Sequence, residues 1–111
     1  MSFSIHLKKK LWLLFILIVN SSIINSQKAI INGTVRDGED LEFLIGVNIQ
    51  SQDQIGTITD FNGKYSLELP IGEHTLTFKY IGYKTVKKTV SVTNNQQVLL
   101  DVVLAAENNQ L

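Results

Sequence analysis

From Ile31 onward, apolar side chains recur at every second position, and a period of two leaves little room for anything but strands. Ile31, Gly33 and Val35 alternate with Asn32, Thr34 and Arg36, and Val47 and Ile49 with Asn48 and Gln50. Tyr65, Leu67 and Leu69 alternate with Ser66 and Glu68, and His74, Leu76, Phe78 and Tyr80 with Thr75, Thr77 and Lys79. Val86, Val90 and Val92 share a further face, interrupted by Lys88. Each pattern puts one side of a strand in a core and the other in water. The run 98–104 differs. Val98, Leu100, Val102 and Leu104 form its stripe, but Leu99 and Val103 make the opposite face apolar too.

Turn chemistry falls between these runs. Asp60-Phe61-Asn62-Gly63 has Asp at the first and Gly at the fourth position of a type I turn. Leu69-Pro70-Ile71-Gly72 puts Pro where φ is fixed near −65°, and Gly82 marks a bend. Segments 36–42, with four acids, and 93–97 (TNNQQ) are polar loops. Six or seven short strands with no helical window predict an all-β, two-sheet antiparallel sandwich over residues 27–104. Residues 105–111 leave the alternation and read as a tail or the start of a connection.

The first 26 residues have a different character. Lys8, Lys9 and Lys10 precede nine consecutive apolar residues, 11–19, and then a polar stretch ending in Ser26. This is the order of a secretory signal peptide. A membrane-spanning anchor needs about 20 apolar residues, roughly twice this run. Cleavage after Ser26 leaves a mature chain of about 85 residues, exported from the cytoplasm and without a membrane span. A domain of that size has a marginal core and, with no cysteine in the sequence, no disulfide to support it. From Gln27 onward there are seven basic and ten acidic residues, a balance that argues against a nucleic-acid footprint.

Little in the sequence carries chemistry. His74 alone remains after residue 26, so no triad can be assembled around a second histidine or a cysteine, and no thiolate metal site exists. The Asp60 segment fails as an EF-hand, because its twelfth position is Ile71 rather than Glu. Asp37, Glu39, Asp40 and Glu42 read as a solvated loop, and Lys84, Lys87 and Lys88 as edge-strand protection rather than a phosphate site. Asn32-Gly33-Thr34 matches a glycosylation sequon inside a strand, and no role is assigned to it. No catalytic residue, cofactor or metal ligand is identified, and the chain is read as a non-enzyme. Phe61 and Tyr83 are candidate contacts for a glycan or protein partner, and Leu99 and Val103 for a docked protein.

The order of these blocks resembles the carboxypeptidase regulatory-like domain of the carboxypeptidase D family, a transthyretin-type (prealbumin-like) β-sandwich. The blocks are Gly33-Thr34-Val35-Arg36-Asp37, Ile45-Gly46-Val47-Asn48-Ile49, Thr59-Asp60-Phe61-Asn62-Gly63-Lys64-Tyr65, Leu69-Pro70-Ile71-Gly72 and Tyr80-Ile81-Gly82-Tyr83. In Bacteroidetes, such a domain typically follows the signal peptide of TonB-dependent outer-membrane receptors, including SusC-like nutrient importers. The resemblance therefore implies a non-catalytic domain in the periplasm or on the periplasmic face of the outer membrane, with a protein partner there. The plug and barrel that follow in that family are not in these 111 residues, which implies a fragment or truncated form. A free-standing module binding a glycan or protein, and a structural spacer, are the alternatives.

Overall fold

The computed structural model describes residues 27–108, so the leader 1–26 and the last three positions of the tail lie outside the described residues. Among the described residues there are eight strands and no helix: β1 (Lys28–Asp37), β2 (Asn48–Ser51), β3 (Gly56–Ile58), β4 (Lys64–Pro70), β5 (Gly72–Lys79), β6 (Val86–Val92), β7 (Gln97–Leu99) and β8 (Val102–Leu104). They form two four-stranded sheets. One is antiparallel, in the order β3-β2-β5-β6; in the other, β1 lies between β4 and the pair β7 and β8. The β-sandwich expected from the alternation is what the chain forms.

The core is the sum of the inward faces. Ala29, Ile31 and Val35 of β1, Tyr65, Leu67 and Leu69 of β4, and Val102 and Leu104 of β8 face Ile49, Leu76, Phe78 and Val92 of the other sheet. The Tyr65 and Phe78 rings meet edge to face, 5.7 Å apart between centroids. Phe78 and Leu76 are fully buried, each contributing about 2–3 kcal/mol by leaving water. His74 is buried at the margin of this core. Its Nε2 lies 2.7 Å from the Pro70 carbonyl oxygen, which can only accept, so Nε2 carries the proton. Nδ1 is buried without a hydrogen-bond partner, 3.9 Å from the Asp53 carboxylate.

The mixed sheet refines the expected strand directions and count. Residues 98–104 do not make one antiparallel strand. They make two short ones, both parallel to β1, with Ile31 opposite Val98 and Arg36 opposite Val103. The break between them is built by three side chains, or by the lack of one. At Gly33 an added Cβ would lie 2.0 Å from the Leu100 carbonyl oxygen, so only glycine admits that carbonyl. Tyr65, paired with Gly33 across the sheet, reaches past it and donates its hydroxyl to the same oxygen at 2.6 Å. Asp101 then replaces a backbone acceptor, taking the Thr34 amide at 2.8 Å and the Thr34 hydroxyl at 3.1 Å. Burial, with Asp101 nearby, raises the Tyr65 hydroxyl well above its ordinary pKa, which keeps it a donor.

Three of the four free edges are blunt, the fourth being the seven-residue β4, which pairs only with β1. β3 is three residues long, and the β7–β8 edge is broken at Leu100. β6 is longer, but Lys88 stands opposite Leu76 at an inward position, between the partly buried Val86 and Val90. A charge of this parity on an edge strand opposes pairing with another chain. Lysine protection of this strand is what the sequence led us to expect.

Candidate interaction surface

The register puts the connections at two ends. At the inlet end, where Lys28 begins β1, lie the loops 52–55 and 93–96 and the turn at Ile71. At the outlet end, where β8 finishes, lie the loops 38–47, 59–63 and 80–85. Ten residues of β1 separate the ends by about 30 Å. Residues 105–107, beyond the last strand, run antiparallel to the 82–84 segment at the outlet. Lys84 N–H donates to the Ala105 carbonyl at 2.9 Å and Glu107 N–H to the Gly82 carbonyl at 2.8 Å.

The outlet loops are held by buried and semi-buried polar groups. Thr59, buried, accepts the Val47 amide at 2.9 Å and donates to the Leu44 carbonyl at 2.6 Å. Asp60 caps its own turn by accepting the Asn62 and Lys64 amides at 2.8 and 3.0 Å, and these bonds lower its pKa. Gly63 closes that turn at φ 70°, with Phe43 and the Val35 carbonyl crowding the space a side chain would need. Asp37 accepts the Tyr83 hydroxyl at 2.5 Å and the Glu39 amide at 2.7 Å. These bonds, the tyrosine's first, lower the Asp37 pKa; the bond to Asp37, then loss of water, pushes Tyr83 up to about 12.

Against this frame the four sequence-derived candidates separate. Phe61 stands on the Asp60 turn and is 87% exposed. Tyr83 is half-buried, its ring against Tyr80 at 5.5 Å between centroids and its hydroxyl committed to Asp37. Leu99 and Val103 are exposed on the outer face of the mixed sheet, next to Asn32 and Arg36 of β1. Phe61 and Tyr83 thus share an end but sit on different connections, and Leu99 and Val103 flank the break at Leu100.

Sequence reasoning passed over the residues that dominate the outlet. Ile81 is 94% exposed, and Leu41, Phe43 and Ile45 are exposed with it. The Arg36 guanidinium lies 4.4 Å above the Phe43 ring, a cation–π contact on a side chain that stays exposed. Leu41 adopts φ 60°, a left-handed conformation unusual for a leucine. Beside Ile81, residues Gly46, Tyr80, Tyr83 and Glu107 line a shallow depression of 580 Å³. The available signal was an apolar residue inside a turn segment, where alternation assigns it no core position. Among the described residues, no group of three or more His, Cys, Asp or Glu side chains could hold a metal ion.

Comparison with known proteins accounts for this arrangement at the family level. The model of the CarboxypepD_reg-like domain matches residues 31–111, nearly all of the sandwich and the segment beyond it. The chain belongs to this family. As a CarboxypepD_reg-like domain it is similar to TonB-dependent receptor P3 of Formosa agariphila, 33% identical over 104 residues, 93% of this chain and 10% of the receptor. It is also similar to TonB-dependent receptor P39 of the same organism, 37% identical over 89 residues, 79% of this chain and 8% of that receptor. The chain therefore spans about a tenth of the length of the curated relatives it matches. Among solved structures, Acinetobacter radioresistens catechol 1,2-dioxygenase aligns with a TM-score of 0.61 at 13% identity, over 77% of this chain and 54% of the enzyme. At that identity the likeness is one of fold alone. The kinship with receptor sequences supports a receptor-associated domain.

Proposed function

We propose that this CarboxypepD_reg-like domain is a non-catalytic accessory domain of a TonB-dependent outer-membrane receptor, working in the periplasm through protein contacts. The observation that carries the reading is the extent of the match to receptor P3. A match over 104 of 111 residues leaves seven outside it, so it must include part of the lysine and apolar leader as well as the sandwich. A shared leader followed by a shared domain is what an exported receptor's opening segment would have. The in-line geometry supports the same reading: the chain comes in at one end of the sandwich and leaves at the other.

An antibody raised against residues 27–111, applied to fractionated cells of the source organism, tests this. The expected result is a heavy band in the outer-membrane fraction. A light, soluble periplasmic band would overturn the receptor reading and favour a free-standing binding module. β3 and the β7–β8 edge offer no long unpaired ladder and Lys88 opposes pairing on β6, which leaves β4 as the edge open to strand addition, beside contact through loops and side chains.

A further inference from the structure

We propose that the apolar outlet end of the sandwich, centred on Ile81 and Phe61, is a docking face for the folded part of the receptor polypeptide that continues past Glu107. This rests on the receptor reading above and adds to it a surface, an occupant and an orientation. Three observations carry it.

The first is the distribution of exposed apolar groups. Leu41, Phe43, Ile45, Phe61 and Ile81 are all on outlet loops, whereas Ile71 alone stands exposed among the large apolar residues of the inlet loops. An apolar concentration on one end of a small domain marks a contact surface, where single scattered residues would not. The second is order. Thr59, Asp60, the Asp37–Tyr83 pair and the glycines at 63 and 82 hold these loops in place, so the surface is preformed and loses little freedom on binding. Leu41, left-handed in the loop closed by its own amide on the Asp37 carbonyl, presents its side chain to solvent.

The third observation selects the occupant. Residues 105–107 are bonded to 82–84, so the described chain ends beside Ile81, with Glu107 on the same depression. In the relatives about nine-tenths of the polypeptide lies outside the matched stretch, ample for a neighbouring unit. The described chain enters the sandwich at the inlet, a full strand length from this face. The partner surface should be apolar at its centre, with cationic groups positioned to meet the exposed Glu39, Asp40 and Glu42 of loop 38–47.

Site-specific photo-crosslinking in the source organism tests the assignment. The chain with Ile81→p-benzoylphenylalanine is compared with one carrying Ile71→p-benzoylphenylalanine, and crosslinked peptides are identified by mass spectrometry. The expected result is crosslinks from position 81 to sequence beyond Glu107 of the same polypeptide, several-fold above those from position 71. Equal yields at the two positions would overturn the proposal, as would crosslinks from position 81 to a second copy of residues 27–107 or to an unrelated protein. If the antibody finds the heavy outer-membrane band and position 81 gives no such crosslink, the docking face alone is wrong. If it finds only a light soluble band, the receptor reading falls and the docking face falls with it.

Discussion

The inlet and outlet ends of this sandwich solve the same problem, holding loops onto strands, with different chemistry. At the inlet, Gln52 spans the gap from outside: its amide donates to the Glu73 carbonyl at 3.2 Å and accepts the Thr75 amide at 2.7 Å, all in solvent. At the outlet, Thr59 makes a corresponding pair of bonds while buried under its loop. The inlet loops are short, and besides Gln52 they are held by two buried groups, Ser51, which accepts the Asp53 and Ile55 amides at 3.3 and 3.2 Å, and His74 on the Pro70 carbonyl. The outlet loops are longer, carry exposed apolar side chains, and are supported from beneath by buried hydrogen bonds. An exposed apolar face of this kind is what the proposed docking would use.

The largest expected effect is at the residue that joins the two ends. Gly33→Ala forces a methyl group into the Leu100 carbonyl and should destabilise the domain by about 3 kcal/mol, the upper range for overpacking. Urea denaturation with circular dichroism measures it; a loss near zero would mean the β7–β8 break is not set by Gly33. Next, Thr59→Val leaves the Val47 amide and Leu44 carbonyl buried without partners, at a cost of about 2–3 kcal/mol. Gln52→Ala removes as many bonds but exposes its partners to water, and should cost about 0.5–1 kcal/mol. Equal losses in the two variants would erase the distinction between the ends.

A smaller effect concerns pH. Asp37 and Asp60 have lowered pKa values in the fold, so each contributes stability that is present above the ordinary carboxylate range and lost as pH falls through the folded value. Tyr83 has the opposite sign: its contribution is present below pH 10 and lost as pH rises toward about 12. Tyr83→Phe should therefore flatten the acid limb and the alkaline limb of the stability curve together, followed by thermal melts across pH. A variant with unchanged limbs would show that the Asp37 contact does not persist in solution. Smallest of all, Phe61→Ser combined with Ile81→Ser should leave stability within about 0.5 kcal/mol, because neither side chain supports the core. A larger loss there would mean the outlet face belongs to the fold itself rather than to a partner.

Much of the architecture was legible because alternation reports burial directly. The core positions Ile31, Val35, Leu67, Leu69, Leu76, Phe78, Val102 and Leu104 all lie on faces that the period of two assigned inward. The Asp60–Gly63 turn was legible for a similar reason, since a left-handed closing residue and an Asx cap require those residue types. The candidate surface was harder to see. Tyr83 has the composition of an exposed aromatic, but Asp37, 46 positions away, takes its hydroxyl, and nothing local predicts that bond. Ile81 lies between Tyr80 and Gly82 in a turn, where its exposure depends on how three separate loops meet.

By itself the sequence determined which face of each strand is dry, where the chain turns, and the family to which the blocks from Gly33 to Tyr83 belong. These are local matters of side-chain period, turn geometry and spacing, and they are written residue by residue. The tertiary structure alone decided that β7 and β8 run parallel to β1, that the run 98–104 breaks at Leu100, and that the exposed apolar residues of three loops gather where the chain leaves. A period of two is the same in parallel and antiparallel strands. Direction, the Tyr65 bond past Gly33 and the clustering at the outlet depend on which distant segments become neighbours, and only the folded chain sets that.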